Sequence, residues 1–456
     1  MESKHIGILQ EHLEDTLKLG ADYADIFIQA GTGHSVHYED KRIEELSSSN
    51  TDGSGTRIII GDKTYYSHAP GTSCRSIGRT IAQSSESALG RKISFADAPT
   101  ESILAFETHI TPPSVDFLHL LDSNIRKQSA FVRQAAFRYS VSQRRILIIK
   151  PDGTYAQDER NYCSFTAQVI AEKNGILQTG YERRCMAAAN SDFWSGSDPE
   201  KIAQAALERA LLMLGAKPCP AGKMNVLLAG EAGGTIIHEA CGHGLEADIV
   251  DKDYSVYRGK IGEKVADSMI TMADDPTIPC LYGSYKFDDE GTPARRNILI
   301  ENGVLKSYMT DILSAKTAGL PLTGNGRRES YRNIPVPRMS NTFLLPGKSD
   351  FESMIEQAGD GLLVRKMGGG EVNPTTGDFV FYVSEAYMIK NGKISYPVRG
   401  ATLTGNGPQA LQNIVALGSN LIMDPGVCGK SGQGVPVTDG QPSMLIKGLT
   451  VGGSEA

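Results

Sequence analysis

The chain has 456 residues, more than a single hydrophobic core usually supports, so we expect two or three domains. Its formal net charge of −7 comes without a basic cluster, which argues against nucleic acid as a partner. Hydrophobic residues make up 40% of the chain, as in globular proteins, and no apolar run approaches the ~18 residues of a membrane span, so we expect no membrane association.

The cysteines indicate the compartment. The seven cysteines form no C-x-x-C pair, and the first residues lack the basic-then-apolar pattern of a secretory signal. An odd number of cysteines without a disulfide framework is typical of reduced thiols. We therefore expect a cytoplasmic protein.

The first predicted unit mixes helices and strands. Apolar residues at helical spacing predict a helix over residues 5–19 and a second over residues 74–89. Strand-like runs occupy residues 25–29, 35–40, 57–60 and 64–67. We place this α+β unit at residues 1–97, followed by a linker over residues 98–113 that contains three prolines.

A second α+β unit is predicted at residues 114–217. Its strand candidates are residues 131–140, 145–149, 163–172 and 176–183. Asp198 and Pro199 are a good helix start, and an apolar stripe continues that helix over residues 202–214. The remaining residues, 223–456, are rich in strands and glycine turns and form a third, larger domain, so the overall class is α+β.

The third domain carries the most informative segment, His238-Glu239-Ala240-Cys241-Gly242-His243. It is one residue longer than the zinc-hydrolase signature H-E-x-x-H. On a regular α-helix, residues five apart lie about 140° apart around the axis, so His238 and His243 would not reach one metal ion. A π-type turn would bring them together, and so would a helix that ends at the glycines flanking His243. The sequence leaves both geometries open.

A catalytic zinc ion usually has three protein ligands, so a third donor is expected. The nearby candidates are Cys241, Glu246 and Asp248, and the remote candidate is Cys428. We favour Cys428, because a thiolate is a strong zinc ligand and the surrounding glycines let backbone pass close to a bound ion. The alternative is that Cys428 is an ordinary small buried residue.

Two charged groups in the third domain have competing interpretations. Arg327, Arg328 and Arg338 could bind substrate carboxylates, but ion pairs at the surface or between domains are the more common role. The run Asp288-Asp289-Glu290 could be mistaken for a metal cluster. Because adjacent side chains do not converge readily on one ion, we interpret this run as a solvated turn.

The segment over residues 237–248 resembles the catalytic segment of the TldD/PmbA family of metallopeptidases. Further motifs of that family follow in order at residues 287–294, 323–330, 337–342, 376–379 and 428–433. The resemblance is strong over residues 225–453. Gly53-Ser54-Gly55-Thr56-Arg57 also fits the family's N-terminal pattern.

The chain resembles the catalytic TldD type rather than the PmbA type, which lacks the metal ligands. The resemblance implies that His238, His243 and Cys428 bind one zinc ion per chain and that Glu239 is the catalytic carboxylate. Cys241 stands where an aliphatic residue is expected, which leaves open whether its thiol competes with Cys428. The resemblance also implies a dimer, formed with a second copy or with a metal-free PmbA-type relative.

The residues of the motif predict metal-assisted hydrolysis, and the resemblance implies a zinc-dependent metallopeptidase acting on peptides or unfolded polypeptide segments. Zinc would lower the pKa of water to about 7 and polarise the scissile carbonyl, and Glu239 would move the water proton to the leaving amine. An extended substrate would pair with an exposed strand edge. The alternatives are a non-catalytic binding partner of a related peptidase subunit and a hydrolase of small amides.

Overall fold

The structure is a computed structural model that describes residues 2–93, 100–104, 106–108, 110, 115–189, 192–194 and 198–453. The three prolines of the predicted linker, Pro99, Pro112 and Pro113, lie outside the described residues. The described chain combines three large β-sheets with helices, so the predicted α+β class is confirmed. None of the described helices has the length and apolar character that crossing a bilayer requires.

The first sheet has six strands in the order β3-β2-β1-β4-β5-β6. They are β1 (Tyr23–Glu39), β2 (Arg42–Ile60), β3 (Lys63–Pro70), β4 (Val132–Ile149), β5 (Tyr155–Lys173) and β6 (Ile176–Met186). The strand lengths predicted from sequence were wrong, since the predicted strands at residues 25–29 and 35–40 belong to one strand that ends at Glu39. Residues 30–34 between them are mostly small and polar, but pairing with both β2 and β4 keeps them extended.

The two predicted N-terminal units share this sheet. β1, from the first unit, pairs with β4, from the second, along most of its length. We keep the division into residues 1–97, 114–217 and 223–456 as a proposal, in which the first two units are joined through the β1–β4 pair.

Four helices pack on one face of the first sheet. They are α1 (Glu2–Lys18), α2 (Cys74–Leu89), α3 (Asp116–Gln128) and α4 (Pro199–Leu214). Ile26 and Ile28 of β1 belong to one apolar cluster with α1 and α2, and Val36 and Tyr38 belong to another with α3 and α4. These four β1 residues are spaced by even numbers, so they point to the same face of the sheet.

The opposite face packs against the C-terminal domain at one end. There Phe27 and Ile148 contact Tyr331 in a small apolar cluster. The other end of this face, from Ser35 to Glu39 of β1, is covered by none of the described helices and is lined mainly by polar side chains.

A buried ion-pair network joins the first sheet to the acidic run. Arg57 Nη1 lies 2.5 Å from Glu290 Oε1, and Arg160 Nη1 lies 2.9 Å from Asp289 Oδ1. Asp288, Asp289 and Glu290 are at most 1% exposed. The solvated turn predicted from sequence was therefore wrong. Arginines from strands more than a hundred residues away pair with Asp289 and Glu290 in the interior, where unpaired carboxylates would be costly. Asp288 accepts from backbone N–H groups instead.

The C-terminal domain contains two further large sheets and a small two-stranded sheet. The second sheet has the order β11-β10-β9-β14-β21-β20, with β9 (Met272–Asp274), β10 (Asn297–Glu301), β11 (Val304–Leu305), β14 (Asn341–Leu344), β20 (Ile422–Lys430) and β21 (Gln433–Gln441). The third sheet has the order β15-β8-β22-β18-β16-β17-β7, and β19 also pairs with β22. Its strands are β7 (Lys217–Pro218), β8 (Gly222–Leu228), β15 (Gly361–Val372), β16 (Asp378–Lys390), β17 (Lys393–Arg399), β18 (Thr402–Asn406), β19 (Ile414–Leu417) and β22 (Met444–Gly452).

The histidine motif lies in the core between these two sheets. Shorter elements of the domain are β12 (Gly326–Arg327), β13 (Val336–Pro337), α5 (Thr235–Ile237), α6 (Ala247–Asp251), α7 (Ile312–Ala318), α8 (Phe351–Ala358) and α9 (Gly407–Gln412). Ile236 and Ile237 of α5 share one apolar cluster with Phe381 of the third sheet and Val437 of the second. The segment after α5 is thus fixed from both sides.

Candidate metal centre

The histidine motif folds as a π turn. Residues His238–Gly242 form a short π-helix, and the backbone N–H of His243 donates to the carbonyl oxygen of His238, five residues earlier. This wide turn brings both imidazoles to one side, with ring centroids 5.0 Å apart and ring planes at 89°. Of the two geometries that the sequence left open, the structure has the π turn.

Two glycines let the motif approach its neighbours closely. A Cβ atom on Gly234 would lie 2.5 Å from the backbone of Asp439 on β21, and one on Gly242 would lie 2.1 Å from Met339 Sδ. A larger residue at Gly234 would therefore push the motif away from β21. The motif packs against the second sheet at a distance that only glycine permits.

Cys428 completes a cluster with the two histidines. It lies on β20, the edge strand of the second sheet, and its Sγ is 3.6 Å from His243 Nε2. One ligand atom from each of His238, His243 and Cys428 lies within 4.8 Å of the other two. The fold thus brings the thiol to the motif across 185 residues of sequence.

A carboxylate engages the Nδ1 atom of each imidazole. His238 Nδ1 lies 2.6 Å from Asp439 Oδ1, and His243 Nδ1 lies 2.9 Å from Glu246 Oε2. Such contacts orient metal-binding imidazoles and leave Nε2 available to a metal ion. Both imidazoles are therefore held in an orientation that leaves Nε2 free to bind a metal ion.

Two cations fix the strand that carries Cys428. Lys430 Nζ lies 3.1 Å from Glu246 Oε2 and 2.6 Å from Asp248 Oδ1. Arg338 Nη2 donates to the carbonyl oxygen of Cys428 over 2.5 Å. Glu246 and Asp248 were the nearby candidate ligands in the sequence. In the structure they form ion pairs with Lys430, which hold the edge strand β20 against the histidine segment.

Cys241 lies in the apolar core and is not part of the cluster. Its burial raises the pKa of the thiol to about 12, although a hydrogen bond with Tyr257 opposes the shift. A thiol in this state is a poor metal ligand, because zinc binds the thiolate. The geometry therefore favours Cys428 over Cys241 as the third candidate metal ligand, a choice that the sequence left open.

The arginines considered as substrate contacts are buried. Arg327 donates to the carbonyl oxygens of Met339 and Pro436. Arg328 Nη2 lies 3.9 Å from Asp25 Oδ1 of the first sheet, and the two residues form an ion pair between domains. Since Arg327, Arg328 and Arg338 are at most 1% exposed, these contacts support the fold rather than a substrate.

The charges at the cluster suit a metal cation. Burial raises the pKa of the Cys428 thiol, but the charges of His238 and His243 and hydrogen bonds with them outweigh burial and lower the pKa to about 5. Burial lowers the pKa of His243, but Glu246 and Cys428 raise it to about 9. The negative groups that favour protonated imidazoles would equally stabilise a cation, and the thiolate is the zinc-binding form of cysteine. The donor set fits zinc.

Glu239 lies beside this donor set. Its Oε2 is 3.9 Å from His243 Nε2, and its side chain is 27% exposed. Burial raises the pKa of this carboxyl, and the charges of the two histidines partly oppose the shift. An accessible carboxylate next to the ligands can exchange a proton with a molecule bound there.

Asp439 is the site residue that sequence reasoning missed. No motif surrounds it, and its contact with His238 spans 201 residues of sequence. Only the pairing of β21 with β14 and β20 places it beside the motif.

The Asp439→Asn variant is expected to bind zinc about 10- to 100-fold more weakly, the usual cost of losing an outer partner of a metal-binding histidine. The amide keeps the size of the side chain but loses the negative charge beside His238 Nδ1. Competition with a fluorescent chelator measures the affinity. Asp424→Asn, on the neighbouring strand, is the matched control and should bind zinc like the wild type. Equal zinc affinity in Asp439→Asn and wild type would contradict the orienting role.

Known protein domains match most of the chain. The PmbA/TldA metallopeptidase domain 1 matches residues 24–88, the central domain matches residues 107–214, and the C-terminal domain matches residues 221–453. These three matches follow one another in family order.

Full-length relatives agree with the domain matches. The chain is 38% identical to a metalloprotease TldD homolog of Haemophilus influenzae, over 95% of this chain and 93% of the relative. It is 35% identical to a metalloprotease of Methanocaldococcus jannaschii, over 94% of this chain and 97% of the relative.

Solved structures share the fold over the whole chain. TldE from Thermococcus kodakarensis superimposes with a TM-score of 0.74 at 19% identity, covering 97% of this chain and 99% of that one. A protein from Thermotoga maritima superimposes with a TM-score of 0.77 at 21% identity, covering 97% and 98%. The resemblance seen in the sequence is confirmed, and the chain belongs to the PmbA/TldA family of metallopeptidases.

Proposed function

We propose that the protein is a zinc-dependent metallopeptidase that hydrolyses peptide bonds in peptides or unfolded polypeptide segments. In this proposal His238, His243 and Cys428 hold one zinc ion per chain. The observation that carries the proposal is the set of three ligand atoms within 4.8 Å of one another beside the accessible Glu239. Relatives named metalloproteases support the same activity.

In the proposed reaction, Glu239, Asp439 and Glu246 have separate tasks. When bound, zinc supplies a Lewis acid that polarises the scissile carbonyl and acidifies water. Glu239 takes a proton from the attacking water and transfers it to the leaving amine. Asp439 and Glu246 keep the imidazoles in one orientation, so the ligand set needs little rearrangement during the reaction.

An extended polypeptide fits the edge of the second sheet. β20 is the terminal strand of that sheet, and no described strand pairs with its outer edge. Val427, next to Cys428, is 67% exposed. Backbone pairing along this edge would hold an extended chain beside the metal with little dependence on its sequence. This favours unfolded polypeptide over small amides as the substrate.

We further propose a cytoplasmic dimer, formed with a second copy or with a metal-free PmbA-type relative. The whole-chain fold likeness to TldE supports pairing between related chains. All seven cysteines are free, which suits a reducing compartment. The alternative, a non-catalytic binding partner, is disfavoured because Glu239 and the three candidate ligands are all present.

Elemental analysis and a cleavage assay on the purified protein test this function. We expect about one zinc ion per chain and cleavage of an unfolded polypeptide, with activity lost on chelation and restored by zinc. Metal-free protein that stays inactive after zinc addition would contradict a single-chain enzyme. Cleavage of short amides without cleavage of the polypeptide would favour the small-amide alternative.

A further inference from the structure

The face of the first sheet opposite the four described helices forms an open groove. The groove has a volume of about 600 Å³ and is lined by side chains from five adjacent strands, β2, β1, β4, β5 and β6. Its lining includes Ser35, Arg138, Thr166, Gln168 and Tyr181. These residues lie beyond the part of the face that packs against the C-terminal domain.

The lining is mainly polar, and some of its side chains make no hydrogen bond with the described residues. Gln134 Nε2 donates a hydrogen bond of 2.6 Å to Glu39 Oε1, and Glu39 Oε2 lies 3.3 Å from His37 Nε2. In the described part of the chain, the side chains of Arg138, Thr166 and Gln168 have no hydrogen-bond partner. Hydroxyl, amide and guanidinium groups in this state can donate to or accept from the backbone amides of a bound peptide.

One end of the groove leads to the metal centre. Tyr181 lines the groove, and Arg183, two residues further along β6, lies 3.1 Å from Asp424 of β20. Asp424 is the cross-strand partner of Asp439, which binds His238. A chain that leaves the groove past Tyr181 therefore arrives at the strand that carries Cys428.

We propose that this groove is a second binding site for the substrate polypeptide, remote from the scissile bond. The proposal rests on the peptidase function proposed above. The groove crosses four strand spacings, about 19 Å, which an extended peptide spans with about six residues. Hydroxyl and amide side chains bind peptide backbone whatever the sequence, so the groove selects for length and lack of structure rather than for particular residues.

The composition of the lining argues against a second copy as the occupant. Stable interfaces between copies bury apolar residues at their centre. The strands between β1 and β6 contribute the hydroxyl groups of Ser140, Ser164 and Thr166 to this groove instead. Hydroxyl groups there suit a transient, hydrated ligand such as an extended polypeptide.

Filling the groove tests the proposal. Thr166→Trp and Gln168→Trp place a large ring in it, and Thr450→Trp, at an exposed position of β22, is the matched control. Each variant is given an unstructured polypeptide of about 20 residues and a peptide of about six with the same scissile sequence. We expect the ratio of kcat/KM for the long over the short substrate to fall roughly tenfold in both groove variants, through KM, and to stay at the wild-type value in the control.

A binding measurement separates this proposal from the proposed function. In a Glu239→Gln background, fluorescence anisotropy of the labelled long polypeptide should show roughly tenfold weaker binding when Thr166→Trp is added. Circular dichroism confirms that each variant is folded. Unchanged ratios in both groove variants, together with unchanged binding when Thr166→Trp is added, would overturn the proposal. A changed oligomeric state in sedimentation, with unchanged ratios, would overturn it as well. If the wild type cleaves neither substrate, the peptidase function fails, and anisotropy still decides whether the groove binds polypeptide.

Discussion

Replacing Glu239 with glutamine is expected to lower kcat for polypeptide cleavage by about 10²- to 10⁴-fold, the range for loss of a general acid–base group. Glutamine has nearly the same size, but its amide cannot accept the proton of the attacking water. Glu239 is not one of the three clustered ligands, so zinc content should stay at the wild-type value. Initial rates on an unfolded polypeptide and elemental analysis of the same sample measure both effects.

A matched substitution away from the site controls for general effects of charge. Glu263 is exposed, and Glu263→Gln should retain the wild-type kcat. Retention of most activity in Glu239→Gln would sink the proton-transfer role. Loss of zinc together with activity would instead make Glu239 a metal ligand.

The Cys428→Ser variant is expected to lose both zinc and activity. A serine hydroxyl stays protonated near neutral pH, whereas the Cys428 thiol is held as a thiolate by the two histidines, which lower its pKa to about 5. Loss of a direct ligand should reduce zinc affinity by more than about 100-fold, beyond the cost of losing an outer partner. Chelator competition measures the affinity, and residual cleavage is measured at saturating zinc.

Cys241→Ser is the control within the motif itself. Cys241 is buried against Tyr257 outside the cluster, so this variant should keep its zinc affinity and lose at most some stability. The opposite pattern, with zinc lost in Cys241→Ser and kept in Cys428→Ser, would move the third ligand into the histidine motif. The pair of variants therefore decides between the two thiols.

Secondary structure was predictable where local signals dominate. The second helix was predicted at residues 74–89 and is observed as Cys74–Leu89, because a serine cap and a left-handed glycine define its ends.

The strands of the first sheet were predicted too short. β2 continues through Ser47, Ser48 and Ser49, residues of low strand preference, because β1 pairs with every one of them. Pairing with a neighbour overrides local preference in a sheet.

Charged residues were the least predictable. Asp288, Asp289 and Glu290 have the composition of a surface turn, yet all three are buried. Arg57 pairs with Glu290, Arg160 pairs with Asp289, and backbone N–H groups donate to Asp288. Nothing near residues 288–290 signals those arginines, since the partners lie in strands of another part of the chain. Burial of a charge depends on its partner, and the partner is known only once the fold is known.

The sequence by itself determined the class of chemistry. The histidines and Glu239 occur within six residues, and the family motifs from residue 225 onward pointed to zinc and to Cys428. Such a motif is readable because its spacing and residue types are local, and the five-residue spacing already required an unusual turn. The structure realises that spacing as a π turn.

Only the tertiary structure decided how these residues form a site. It placed Cys428 at 3.6 Å from His243 and Asp439 at 2.6 Å from His238, and it directed Cys241 into the core. It also opened the groove beside Tyr181, by pairing the β1–β2 hairpin with the consecutive strands β4, β5 and β6. The physical reason is that these contacts arise from sheet pairing and from packing between layers. The contacts of His243 with Cys428 and of His238 with Asp439 join residues 185 and 201 positions apart, and no local pattern in the chain records them.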